Sequence, residues 1–301
     1  VNLKVWGAIV AAAVGWGTTG VATRAALEDG IPPYAMVTIR AALTAVFIYG
    51  YLRMRHISPA RGRRQWTTGL VMGVTNLAVP FVLFTLAYQY ASAGFVGLLV
   101  ALIPIGTAIG AHYMLADEPL HVAKVVGLTV SLLGVGVLVA SGDSGLASGG
   151  RPVAAVALSL GAVVMASFAG VYAKRHVGSY SPVELTGMQF GTGATILVVA
   201  MLIAEGMPPV ITAWGWFLIV YMAIFGSVIP YTLFYWLLGN VTATKASLIG
   251  YVVPLVALAA GALLLDERIQ AGIVLGGILI LGGVILTDRS ERVVRPTVPV
   301  R

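Results

Sequence analysis

The sequence predicts an all-α polytopic membrane protein whose ten transmembrane helices form two inverted five-helix repeats. Three observations carry that prediction. The 301 residues are 59% hydrophobic and only 10% charged. The charges fall in short gaps between apolar windows, each about as long as one bilayer crossing. The order of prolines, glycines and acidic residues in the first half of the chain returns in the second.

A mean hydropathy of +0.96 and so few charges stand far from the roughly 25% charged usage of soluble domains, so lipid is the main solvent. Uncharged windows at 5–23, 125–142, 152–173, 185–204, 246–265 and 269–287 each supply one span. The window from Gln65 to Leu115 is too long for one helix and is broken at Ala91-Ser92-Ala93-Gly94, giving two spans. That from Gly206 to Thr244, broken at Gly239-Asn240, gives two more. Tyr34–Tyr51, apolar except for Arg40, completes the set of ten. Val5–Ala26 shows no clear small-residue cleavage site and is followed at once by further spans, so it reads as helix one, not as a leader.

The net charge of +7 does not point to nucleic acid, because the basic residues sit beside spans, where Lys and Arg bias loops toward the cytoplasm. With the N-terminus inside, Lys4, Arg53, Arg55, Arg61, Arg63, Arg64, Lys124, Lys174, Arg175, Lys245 and the basic tail are internal, and only Arg24, Arg151 and Arg268 are external. The expectation is an inner (plasma) membrane protein with both termini cytoplasmic. There is no Cys, hence no disulfide, thiolate metal site or Cys nucleophile. The His residues at 56, 112, 121 and 176 lack metal-ligand spacing. No metal or cofactor is expected.

The repeat matches Arg24 with Lys174, Pro33 with Pro182, Pro80 with Pro230, Phe84 with Phe234, Pro104 with Pro254, Glu118 with Glu267, Gly127 with Gly276 and Gly134 with Gly283. It divides the chain into residues 1–144, 145–290 and a cytoplasmic tail, 291–301. An odd number of spans per half starts the second half from the opposite side of the membrane. Inverted repeats are a common plan of secondary transporters, whose substrate site lies near the bilayer midplane between the halves.

Several segments resemble the drug/metabolite transporter superfamily, specifically proteins with two EamA-type domains. They are Gly15-Trp16-Gly17, Pro33 followed by Arg40, the Pro80 and Pro230 helices, and the repeat endings Ile103-Pro104-Ile105 to Asp117-Glu118-Pro119 and Val253-Pro254-Leu255 to Asp266-Glu267-Arg268. The resemblance covers nearly the whole chain. It implies export of amino acids or similar metabolites through a cavity lined by helices one, three, four, six, eight and nine.

The candidate substrate site comprises Trp16, Thr19, Asn76, Ser167, Ser227 and Tyr251, polar or aromatic residues expected mid-helix and related through the repeat. Pro80, Pro104, Pro230 and Pro254 are expected to break or gate their helices, because proline frees the carbonyl four residues earlier. Such a carbonyl can hold a ligand; equally, Asn76 can serve only to join neighbouring helices. Of the aromatics on helices eight and nine, Tyr221, Tyr231, Tyr235, Trp236 and Tyr251, several are expected in interfacial belts. Arg40 lies about 10 Å from its helix's outer end at 1.5 Å per residue and is read as a structural charge. It would snorkel outward or pair with Glu28 or Asp29, with direct substrate contact the alternative. Glu118 and Glu267 are read as caps of the helices that follow them. With no carboxylate expected at the midplane, coupling to a proton gradient stays open, as does oligomeric state.

The function these features support is a secondary transporter exporting a small polar metabolite by alternating access. A channel or facilitator is the main alternative, but no selectivity-filter signature is present. An intramembrane enzyme would need convergent catalytic groups within the spans and is disfavoured.

Overall fold

Backbone amides in lipid have no water to bond, so an apolar chain must satisfy them internally, and helix is the regular structure of the described residues. The computed structural model describes residues 3–57, 62–114, 122–176, 179–241, 246 and 249–294, the side chains of 123 and 287–294 excepted. Its helices are α1 (Leu3–Glu28), α2 (Pro33–Met54), α3 (Arg63–Ala87), α4 (Ala93–Met114), α5 (Val122–Ser141), α6 (Pro152–His176), α7 (Pro182–Ala204), α8 (Ala213–Asn240), α9 (Ile249–Leu264) and α10 (Ala271–Val294). The first eight are long and apolar enough to cross a membrane, whereas α9 and the apolar part of α10, Ala271–Leu286, are shorter. Large apolar side chains such as Val46, Leu133, Val164, Ile203, Phe217 and Leu263 stand exposed on the outside of the bundle, as befits helices that face lipid.

Local chemistry sets the helix ends. Pro33 and Pro182 start α2 and α7, where the missing N–H costs nothing. Ser181 and Glu184 close a reciprocal capping box on α7. Ser92 accepts from the Phe95 N–H at 3.1 Å and Thr212 from that of Gly215 at 2.9 Å. Inside α3 and α8 the helix widens into π-turns, Gly73–Ala78 and Ile224–Val228, each ending just before a proline, Pro80 or Pro230. α4 is interrupted at Ala101–Leu102, beside Pro104. The break expected at Pro254 does not occur: α9 runs continuously through it, and Pro254 is buried against neighbouring helices.

On the face of the bundle where α1 ends at Glu28, polar contacts join one helix end to another. Arg24 pairs with Glu28 at 2.9 Å and donates to the Tyr88 carbonyl at the end of α3. Asp29 accepts from Thr212 at the start of α8, and Glu205, after α7, accepts from the Tyr34 and Ala35 N–H groups of α2. The connection following α5 bonds to the start of α4 through Ser92 and Ser144, and to α10 through Asp143 and the Gly272 N–H.

Glu267 belongs to the same seal, which corrects its expected role. It does act as a cap, but of α4, accepting from the Ala93 N–H at 2.7 Å and the Gly94 N–H at 3.4 Å, and not of the helix that follows it. The connection between α9 and α10 folds back over α4, so the nearest orphan donors are those of α4. Burial raises the Glu267 carboxyl above its ordinary range, and the two N–H donors pull it partly back. Glu118, its counterpart in the first half, lies outside the described residues.

α5 and α10 pack backbone against backbone. A Cβ on Gly134 would lie 2.7 Å from the Gly276 carbonyl oxygen, and one on Gly276 would lie 3.0 Å from that of Gly134. A Cβ on Gly283 would likewise collide with the Gly127 carbonyl, and Ser131 reaches across to the Ile280 carbonyl at 3.1 Å. Small residues thus let the backbones touch, which matters in lipid, where apolar packing alone offers little drive for association. Gly134→Ala and Gly276→Ala should each lower stability by about 1–3 kcal/mol through overpacking. The measurement is thermal unfolding of detergent-purified protein; Gly136→Ala, which meets open space, is expected to melt like wild type.

Candidate functional site

A cavity of about 480 Å³ occupies the centre of the bundle. Its wall takes Trp16, Thr19 and Thr23 from α1, Arg40 from α2, and Asn76, Pro80, Phe81, Phe84 and Thr85 from α3. Pro104 and Thr107 come from α4, Gly170 and Lys174 from α6, Tyr231 and Phe234 from α8, Tyr251 from α9 and Val284 from α10. Toward the Glu28 face its wall ends at Thr23 and Tyr88, both buried, beside the buried first turns of α4. It runs the other way to Lys174, Leu238 and Val241, at the opposite ends of α6 and α8.

The two π-turns govern its chemistry. Proline has no N–H, so Pro80 leaves the Asn76 carbonyl without its α-helical donor and Pro230 does the same for Gly226. Each carbonyl finds a donor from another helix. The Arg40 guanidinium donates from Nη2 to the Gly226 carbonyl at 3.0 Å and from Nε to Ser227 Oγ at 2.9 Å. The Tyr231 hydroxyl donates to the Asn76 carbonyl at 3.4 Å. In the α8 π-turn the Ile229 N–H bonds the Ile224 carbonyl, leaving that of Phe225 turned toward α1. There a Cβ on Gly15 would collide with it, so glycine at that position is what lets α1 pass.

The expected site residues divide accordingly. Trp16 lines the cavity, its ring edge-on to Tyr231 at 5.3 Å and near Phe234 at 5.7 Å. Thr19 lines it too, although its hydroxyl bonds back to the Gly15 carbonyl at 2.7 Å. Asn76 lines it while donating to Gln189 Oε1 at 2.8 Å and to the Tyr235 hydroxyl at 2.9 Å, so it both faces the cavity and joins α3 to α7 and α8. Tyr251 contributes its ring, with its hydroxyl turned to the Val284 carbonyl at 3.2 Å.

Ser167 and Ser227 sit behind the wall. Ser167 donates to the Ile103 carbonyl at the break in α4 at 3.1 Å, and Ser227 is fully buried as the acceptor of Arg40. Of the four prolines, Pro80 and Pro104 reach the cavity wall; Pro230 and Pro254 are packed away from it.

Arg40 departs furthest from expectation. It neither snorkels nor pairs with a carboxylate: Glu28 is held by Arg24, and Asp29 accepts from Thr212. Its side chain turns inward, over the Phe81 ring at 4.3 Å, because the opened turn of α8 presents it with acceptors there. Tyr231 and Tyr235 are likewise buried, not interfacial.

Sequence reasoning missed Gln189, a fully buried amide that accepts from Asn76 and from the Tyr235 hydroxyl, because a neutral amide does not interrupt a charge-free window. It also left Phe81 and Phe84 out of the site, although the Phe84/Phe234 match across the repeat marked both halves of an aromatic wall. Among the described residues no cluster of His, Asp and Glu is placed to hold a metal ion.

The profile of the EamA-like transporter family matches residues 4–140 and again 153–288. A Bacillus subtilis (strain 168) protein described as an uncharacterized transporter, YvbV, is 24% identical over 92% of this chain and 89% of its own length. The Escherichia coli (strain K12) uncharacterized inner membrane transporter YedA is 26% identical over 86% of this chain and 82% of its own. Protein PecM of Dickeya dadantii (strain 3937) is 25% identical over 91% and 88%. A solved crystal structure superposes with a TM-score of 0.70 over 98% of this chain and all of that one, at 17% identity, which shows a shared fold.

Trp16→Ala should leave folding intact, since it removes a partly exposed ring from a cavity wall. Asn76→Ala should cost about 1–3 kcal/mol, because it strips a donor from the buried Gln189 and Tyr235. Thermal unfolding of the two variants side by side checks this contrast; equal stabilities would mean that the Asn76 network carries no load.

Proposed function

The chain belongs to the EamA-like transporter family, and from that premise we propose that it is a secondary transporter exporting amino acids or similar small polar metabolites by alternating access. As a member of that family it is a multi-pass membrane protein with a small-molecule substrate. The observation that carries the finer reading is that both family-matched segments build the central cavity: α1 to α4 from the first, α6, α8, α9 and α10 from the second. Its volume suits one small solute, and its wall offers aromatic faces and neutral hydrogen-bonding groups.

Two inverted five-helix halves, 1–144 and 145–290, account for further features. A π-turn before a proline recurs in α3 and α8. α1 packs on α9 as α6 packs on α4, and α8 packs on α1 as α3 packs on α6, while α2 with α7 and α5 with α10 pair across the halves. Arg24 and Lys174, matched through the repeat, lie toward opposite ends of the cavity. The ends of α1, α3, α5, α7 and α9 share a face with the starts of α2, α4, α6, α8 and α10, the arrangement of helices that alternate in direction.

The excess of basic residues at the opposite helix ends supports placing the sealed Glu28 face outside the inner membrane, with both termini cytoplasmic. In that frame the conformation is inward-open, ready to load from the cytoplasm. A seal on one face favours a carrier over a continuously open channel.

Counterflow is the test. Proteoliposomes preloaded with an unlabelled amino acid should take up its radiolabelled form saturably and faster than empty vesicles. The same assay with and without a pH gradient reads proton coupling. Unsaturable flux with no effect of preloading would replace the carrier by a channel.

A further inference from the structure

We propose that Arg40 is a substrate anchor, binding the carboxylate of a small organic acid whose apolar body rests on the aromatic wall; this deepens the transporter reading above and rests on it. A guanidinium has five N–H donors. Arg40 spends two on the protein, both from the edge shared by Nε and Nη2. The end formed by Nη1 and the second Nη2 hydrogen makes no bond to the protein, and Nη1 is not among the sealed polar atoms, so it is reached from the cavity. Two parallel N–H donors on one end match the two oxygens of a carboxylate.

Charge points the same way. Among the described residues no carboxylate lies within 4.0 Å of Arg40, and no Asp or Glu lines the cavity. The groups turned toward Arg40 from the helices around it are the Phe81 ring, Ser227, the Gly226 carbonyl and the hydroxyl-bearing rings of Tyr88 and Tyr231. All are uncharged when the tyrosines are protonated. A buried cation without a counter-ion is expensive in lipid; an incoming carboxylate supplies that counter-ion. The other formal charge on the described wall, Lys174 toward the open end, is also positive.

Rigidity suits the anchor to this task. Ser227, Gly226 and the Phe81 face hold the guanidinium from behind, so little freedom is lost when the acid binds. Trp16, Phe84, Tyr231 and Phe234 line the same cavity and receive an apolar or aromatic body. The recognised class is therefore a small carboxylate with an apolar flank, amino acids among them.

The test uses purified full-length protein in detergent and two acid–amide pairs, phenylalanine with phenylalaninamide and phenylacetate with phenylacetamide. Binding is read by tryptophan fluorescence, with Trp16→Phe identifying the cavity signal. Wild type should bind each acid about tenfold to hundredfold more tightly than its amide, the span of a charge-assisted hydrogen bond. Arg40→Gln should abolish that preference, and Arg40→Lys should retain part of it. Acids and amides bound alike through the Trp16-dependent signal would overturn the anchor while leaving the cavity reading standing. Binding of neither pair would overturn the proposed substrate class, and counterflow then judges the transporter reading separately. The wild-type comparison needs no variant, so it decides the matter even where Arg40→Gln fails to fold.

Discussion

A carbonyl that loses its helical donor inside a bilayer must find another, because lipid supplies none. Pro80 and Pro230 create that condition at the centre of α3 and α8, and much of the interior answers it. Arg40 crosses from α2 to serve Gly226, Tyr231 turns to Asn76, and α1 carries glycine where the Phe225 carbonyl is pushed against it. The cavity lies where these polar demands converge and close packing gives way.

That arrangement also explains how an arginine can be retained in the membrane interior. Its cost is met in part by Ser227, the Gly226 carbonyl and the Phe81 face, and a guanidinium is more weakly hydrated than an ammonium and so better suited to burial. Lysine could not hold both acceptors from one planar edge. The sealed face complements this centre: Arg24, Asp29, Glu205 and Glu267 are engaged with the ends of neighbouring helices, and Glu28 holds Arg24 from its own helix. Acidic groups thus concentrate at the helix ends, while the described wall of the cavity carries positive charge.

Much of this could be read in the sequence. Windows of uncharged residues located the helices because the bilayer fixes their length, and the matched Pro80 and Pro230 located the two opened turns because each removes one N–H inside a helix, although Pro254 interrupts nothing. Trp16, Thr19 and Asn76 could be placed at the cavity from their mid-helix positions, and Tyr251 from its place three residues before Pro254. What the sequence concealed was rotation and partner choice. Whether Arg40 pointed to lipid, to Glu28 or inward depended on acceptors supplied by a helix nearly two hundred residues away. Glu267 was legible as a cap, but which helix it capped depended on how the connection after α9 folds back over α4. Gln189 gave no signal because the spans were drawn as windows free of formal charge, and an amide carries none.

The central claim is that solute passes through this cavity by way of conformations open to one side at a time. A chain without cysteine allows single thiols to be placed as reporters, at Thr107 on the wall and at Thr23, which is 3% exposed beneath the sealed face. The direct measurement is the rate at which a membrane-impermeant thiol reagent labels Thr107→Cys and Thr23→Cys from each side of oriented vesicles, with and without transported solute. The account predicts that Thr107→Cys is labelled from the cytoplasmic side only, and that Thr23→Cys becomes reactive from the outside as solute is transported while Thr107→Cys is protected. Labelling of both positions from both sides at once, or protection of neither by solute, would contradict it.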